Sequence, residues 1–139
     1  MKEIIKPHYQ DEDIQRLNLY TDVNNWKSEL SLIETENRFY QMLLNSKLID
    51  KTEINQHDIN FLIQEVDSLD KVNSDCLERI LEFYNELEGM MECEDVQCDT
   101  YYLNNYQQFK IDIESHFHKN RYLKTLIYSY MNTGIKKFL

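Results

Sequence analysis

The chain has no alanine, two glycines and one proline in 139 residues. A sheet-rich fold of this length needs many turns, and turns draw on glycine and proline. Their scarcity argues against that class and favours a few long helices. Without alanine, and nearly without glycine, those helices cannot approach closely, so large side chains must interleave between them. No run of about 18 apolar residues exists to cross a membrane. The N-terminal stretch MKEIIKPHYQDED is too polar for a signal peptide. Basic residues are outnumbered, and the net charge of −10 argues against nucleic acid and anionic lipid as partners, since both need a basic face. Cysteine is sparse as well. An odd set of three (Cys76, Cys93 and Cys98) without a secretory signal is read as reduced thiols in the cytoplasm. Cys93 and Cys98 would make half of a zinc site, but no second Cys/His pair with ligand spacing follows.

What is present is enough for one domain with a real core, since 42% of residues are hydrophobic. Asn, Ile, Lys, Tyr and Glu are plentiful, as AT-rich codon usage would also produce, so a single Asn or Tyr carries little weight. The apolar residues fall into three heptad-like series. The first runs Trp26, Leu30, Ile33, Asn37, Tyr40, Leu44. The second runs Ile59, Leu62, Val66, Leu69, Asn73, Cys76, Ile80, Phe83, Leu87, Met90. The third runs Tyr102, Tyr106, Phe109, Ile113, His116, Asn120, Leu123, Ile127, Tyr130. Steps alternate between three and four, which puts each series on one stripe of an α-helix. Flanking apolar residues widen the stripes enough for each helix to touch two neighbours. The spacing therefore predicts an all-α fold: an elongated antiparallel three-helix bundle with coiled-coil-like packing. Its helices would span about 24–50, 56–92 and 98–133 within residues 22–139, and residues 1–21 would form a short helix or arm. Asp22, Asn24 or Asn25 would cap the first helix, Asn55 the second, with Asp58 in its first turn, and Asp95 or Asp99 the third. Gly134 would end the last helix.

The stretch IDIESHFHKN, residues 111–120, looks like a metal or proton-transfer site. On a helix, however, residues two apart point roughly 200° apart, so His116 and His118 cannot serve one site. A di-iron bundle needs Glu-x-x-His, which occurs nowhere in the chain. His118 faces outward with Glu114 one turn away, which is common without any phosphotransfer role. His116 sits on the seam. Folding the chain at turns near 53 and 95 brings Asn73 level with about residues 117 and 33. Asn37, Asn73, His116 and Asn120 then form an internal polar layer, which weakens packing but fixes register. The same layer is the place where a small ligand or metal ion would bind. As a purely structural layer, it predicts that Asn73→Leu stabilises the fold or changes its association.

Charge is uneven: residues 51–99 carry three basic and fourteen acidic side chains, residues 100–139 six and two. In that register Lys110 faces Glu78 and Glu82, Lys119 and Arg121 face Asp70 and Asp75, and Lys124 faces Glu65 and Asp67. The first helix, from 24, is too short to cover the hairpin of the other two. The uncovered tip would carry Tyr84, Leu87, Met90, Met91, Tyr101, Tyr102 and Tyr106, a Met- and Tyr-rich surface suited to a protein partner or a homodimer. Alternatively Ile14, Leu17, Leu19 and Tyr20 cover it. No Gly-rich phosphate loop, nucleophile elbow or zinc signature is found. The expected function is therefore non-catalytic, without a cofactor, and works through protein contacts or self-association.

Overall fold

The computed structural model of the chain describes the backbone of residues 2–135 and the side chains of residues 18–90 and 92–133. Three helices fill that length: α1 (Lys2–Leu44), α2 (Gln56–Met91) and α3 (Val96–Ile135). No strand occurs among the described residues. Cross-contacts run in opposite senses along neighbouring helices. Leu30 and Gln41 of α1 meet Asn73 and Asp67 of α2, while Arg79 and Asn73 meet Asp112 and His116 of α3. Both pairs are therefore antiparallel. α2 is the common neighbour; α1 and α3 pack mainly along it and much less on each other.

Every position of the first two seams is buried, and so is the third apart from half-buried Tyr102 and Tyr130. The core divides in two. One cluster holds Trp26 stacked on Tyr106 and Phe109, with Phe83, Ile80 and Leu87 beneath. The other holds Tyr40, Leu44, Leu62, Val66, Leu123 and Ile127. Fully burying a side chain such as Leu62 or Leu87 contributes about 1.5–3 kcal/mol. The polar quartet lies between the clusters in each seam.

The first helix departs from expectation at both ends. It begins at Lys2, not near 24, so residues 1–21 are no separate short helix or arm from residue 2 onward. Asp22, Asn24 and Asn25 are not caps. They lie within the helix, Asn24 and Asn25 exposed and Asp22 half-buried, while Leu19 and Val23 continue the seam inward, at 2% and 0% exposure. Burial along the stripe outweighs the turn preference of three polar residues beside it. At about 1.5 Å per residue, its 43 residues reach roughly 65 Å, more than the roughly 54 Å of α2 and roughly 60 Å of α3. The helix stops at Leu44, short of 50. There Asn45 Nδ2 donates to the Gln41 carbonyl and Ser46 Oγ to the Leu43 carbonyl, taking up acceptors of the last turn. A 3-10 turn, Ile49–Lys51, then tucks Ile49 into the core.

The second helix is capped as predicted, with Asn55 Oδ1 accepting from the Asp58 N–H at 2.9 Å. Asp95 caps the third, accepting from the Cys98 N–H at 2.7 Å. Gly134 does not end α3, which runs on to Ile135. Gly89 lies within α2, where a Cβ would collide with the Tyr102 hydroxyl.

Not all the thiols are free. Cys93 and Cys98 form a disulfide across the α2/α3 turn, with Cα atoms 5.6 Å apart, and only Cys76 is a free, buried cysteine. The reversal of the chain over residues 92–95 brings the pair together, which a count of cysteines cannot reveal.

Candidate functional site

Asn37, Asn73, His116 and Asn120 are the buried polar residues of the described chain. Three of them are linked. Asn73 Nδ2 donates to the Leu30 carbonyl at 2.9 Å, joining α2 to α1. Asn73 Oδ1 lies 2.9 Å from His116 Nε2. A carbonyl oxygen only accepts, so Nε2 carries the proton and the ring is the neutral Nε2–H tautomer. Asn120 Nδ2 is 3.1 Å from each ring nitrogen. With Nε2 committed to Asn73, only Nδ1 has a lone pair for it. The same amide also donates to the His116 carbonyl at 2.9 Å. Burial pushes the His116 pKa down, helped by the Lys119 charge. A second ring proton would also set two donors, Nδ1 and Asn120 Nδ2, against each other.

Asn37 stands apart from this chain of bonds. Its Nδ2 is buried with no hydrogen-bond partner. It lines a cleft of about 220 Å³ on the side where α1 and α3 separate. Glu29, Ile33 and Glu36 form the α1 wall, facing Phe117, Arg121 and Lys124 of α3. Lys124 Nζ bonds Glu36 Oε2 at 2.5 Å, while Glu36 Oε1 is covered and unpartnered. The Tyr40 hydroxyl also makes no hydrogen bond of normal geometry. Burial raises its pKa, with Tyr128 and then Glu36 adding to the effect.

The predicted charge pairing is corrected here. Lys124 turns to Glu36 of α1 rather than to Glu65 or Asp67 of α2. Among the described residues, α2 and α3 are joined by an ion pair of opposite sense, Arg79 with Asp112 at 3.1 Å. The seam spacing does not say which flank of α3 faces which neighbour; that depends on the hand of the bundle.

The tip does not form the bare surface that a short first helix implied. Leu87, Met90 and Tyr106 are core residues, packed with Leu19 and Val23 of the longer α1. The Tyr106 hydroxyl donates to the Asp22 carboxylate, and Tyr20 meets Tyr84 edge-on. Tyr102 is half-buried, Tyr84 and Tyr101 remain exposed, and the Met91 side chain lies outside the described residues.

Sequence reasoning missed a second, more apolar groove between α2 and α3. It has a volume of about 270 Å³ and is lined by Phe61, Leu69, Tyr122, Leu123 and Leu126, with Glu65, His118 and Lys119 at its edge. Phe61 is 45% exposed and Tyr122 69%. Both lie off the seams, so heptad spacing gives them no role. His118 is exposed, as its distance from the seam requires. Among the described residues, no three His, Cys, Asp or Glu side chains are placed to hold a metal. No described helix is long and apolar enough to cross a membrane. No protein-family model, curated protein or solved structure matches the chain.

Proposed function

We propose that this chain is a non-catalytic helical-bundle protein that acts through protein–protein contacts, and that it associates with a second copy through the α2/α3 groove. The observation carrying this reading is the groove itself. Two exposed aromatic rings, Phe61 and Tyr122, line an apolar trough between two helices. Interfaces concentrate their energy where an aromatic or aliphatic anchor fills such a trough within a polar rim. Coiled-coil-like interleaving of the seams belongs to the same reading, since it gives the groove rigid walls.

Light scattering over a range of concentrations tests it. The native chain should gain mass with concentration, while Phe61→Asp/Tyr122→Asp stays monomeric with unchanged helicity. A native chain that remains monomeric throughout counts against self-association.

A cytoplasmic location is part of the proposal, and there the Cys93–Cys98 bridge would stand open, because reducing thiol pools keep such pairs apart. Alkylation in intact cells, followed by denaturation and mass measurement, is expected to label Cys93 and Cys98. Protection of both would place the chain in an oxidising compartment.

The second reading is a small ligand in the α1/α3 cleft. It is favoured by three covered and unpartnered atoms, Asn37 Nδ2, Glu36 Oε1 and the Tyr40 hydroxyl. A metal in the polar layer has less support, since the described acidic, His and Cys side chains do not gather into a ligand set.

A further inference from the structure

We propose that the α1/α3 cleft binds a free aliphatic α-amino acid, its ammonium group on Glu36 and its carboxylate on Asn37. This rests on the second reading above and gives it a ligand class. Buried polar groups are almost always paired, and each exception calls for a partner. Here the exceptions line one cleft and are complementary in kind: the Asn37 amide N–H and the Tyr40 hydroxyl can donate, and a Glu36 carboxylate oxygen needs a donor. A single ligand carrying a donor group and an acceptor group on one carbon satisfies them together.

Charge narrows the choice. The α1 wall carries Glu29 and Glu36, and the α3 wall carries Arg121 and Lys124. An anion gains on one wall and loses on the other, as does a cation. A zwitterion with its ammonium on Glu36 and its carboxylate at Asn37, turned to the side that faces Arg121, gains from both. Size and polarity narrow it further. At about 30 Å³ per molecule of liquid water, the 220 Å³ cleft has room for roughly seven waters, more than three unpaired atoms call for. Ile33, Phe117 and Leu123 supply apolar contact, which suits an aliphatic side chain rather than a polar one.

The test uses the full chain with three probes: L-leucine, 4-methylpentanoate, which lacks the amine, and 3-methylbutylamine, which lacks the carboxylate. Binding is read by calorimetry and by the side-chain amide NMR signals of Asn37 and Asn120. L-Leucine should shift these signals saturably, with each single-ended analogue binding at least about tenfold more weakly, a difference of roughly 1.4 kcal/mol. Asn37→Leu replaces an unpaired polar group by an apolar one of similar size, so it should keep its helicity and lose leucine binding by a similar factor. An analogue that binds as tightly as leucine overturns the amino-acid assignment and leaves a ligand site. If none of the three moves the signals at about 20 mM, where even a millimolar Kd is saturated, the cleft is no small-ligand site and both readings fall.

Discussion

Asn73→Leu should destabilise the fold by about 2 kcal/mol, because it strands a buried donor. The sequence alone suggests the opposite, since leucine at a seam position adds apolar contact. The structure reverses the sign. Asn73 is fully buried and accepts the Nε2–H of His116, itself only 3% exposed. Leucine has a similar volume but leaves that N–H with no acceptor, and an orphaned buried donor costs more than the methyl groups return. The Leu30 carbonyl loses a bond as well, though its second lone pair remains available to the helix ladder. Removing both partners changes the balance. In Asn73→Leu/His116→Leu the ring donor is gone, and Asn120 Nδ2 keeps its bond to the main-chain oxygen at 116. The double variant is expected to match or exceed the native chain, giving a coupling of at least about 2 kcal/mol in a urea-unfolding cycle.

The same cycle has a pH signature. The His116 pKa is lowered in the folded state, so below the ordinary value of about 6.5 the unfolded chain binds the extra proton first. Stability should therefore fall as pH drops from about 6.5 towards the folded pKa and stay level above it. The difference in stability between native and His116→Leu chains should show this slope. A difference flat from pH 5 to 8 would mean that the ring is not held neutral.

Leu19→Ala with Val23→Ala should cost about 4 kcal/mol and should also change the state of association. Both side chains are buried against the tip cluster that contains Phe83, Leu87, Met90 and Tyr106. Truncating them weakens the hold of α1 on that tip, and the chain before Trp26 loses its apolar anchors. The Met- and Tyr-rich surface imagined for a shorter first helix is then created in fact, and exposed apolar area of that kind drives association. Gel filtration with light scattering, alongside thermal unfolding, reads both effects. An unchanged melting temperature would mean that α1 contributes nothing before Trp26.

The seams were legible because a stripe of period three and four is a direct image of what a helix must bury. The partnership of Asn73 with His116 was legible too, since a turn near residue 95 sets their heights to within a residue of each other. The true start of α1 was also in the sequence. Leu19 and Val23 continue the first series by steps of four and three, but Asp22, Asn24 and Asn25 drew attention as caps. Three features were not written in any spacing. The hand of the bundle decides that Lys124 meets Glu36 and not Glu65. The separation of α1 from α3 opens the cleft beside Asn37. The pairing of Cys93 with Cys98 depends on the geometry of the turn between them.

Since directional bonds from α3 through α2 to α1 align the three rods at mid-height, the linkers at either end need not do so. Residues 45–55 and 92–95 can therefore lengthen wherever Ile49, the Asn55 and Asp95 caps and the Cys93–Cys98 bridge keep their places, and extra loop residues cost only a slowly growing closure entropy. Variation in this molecule is cheapest at its two ends, while its middle admits changes only in matched sets.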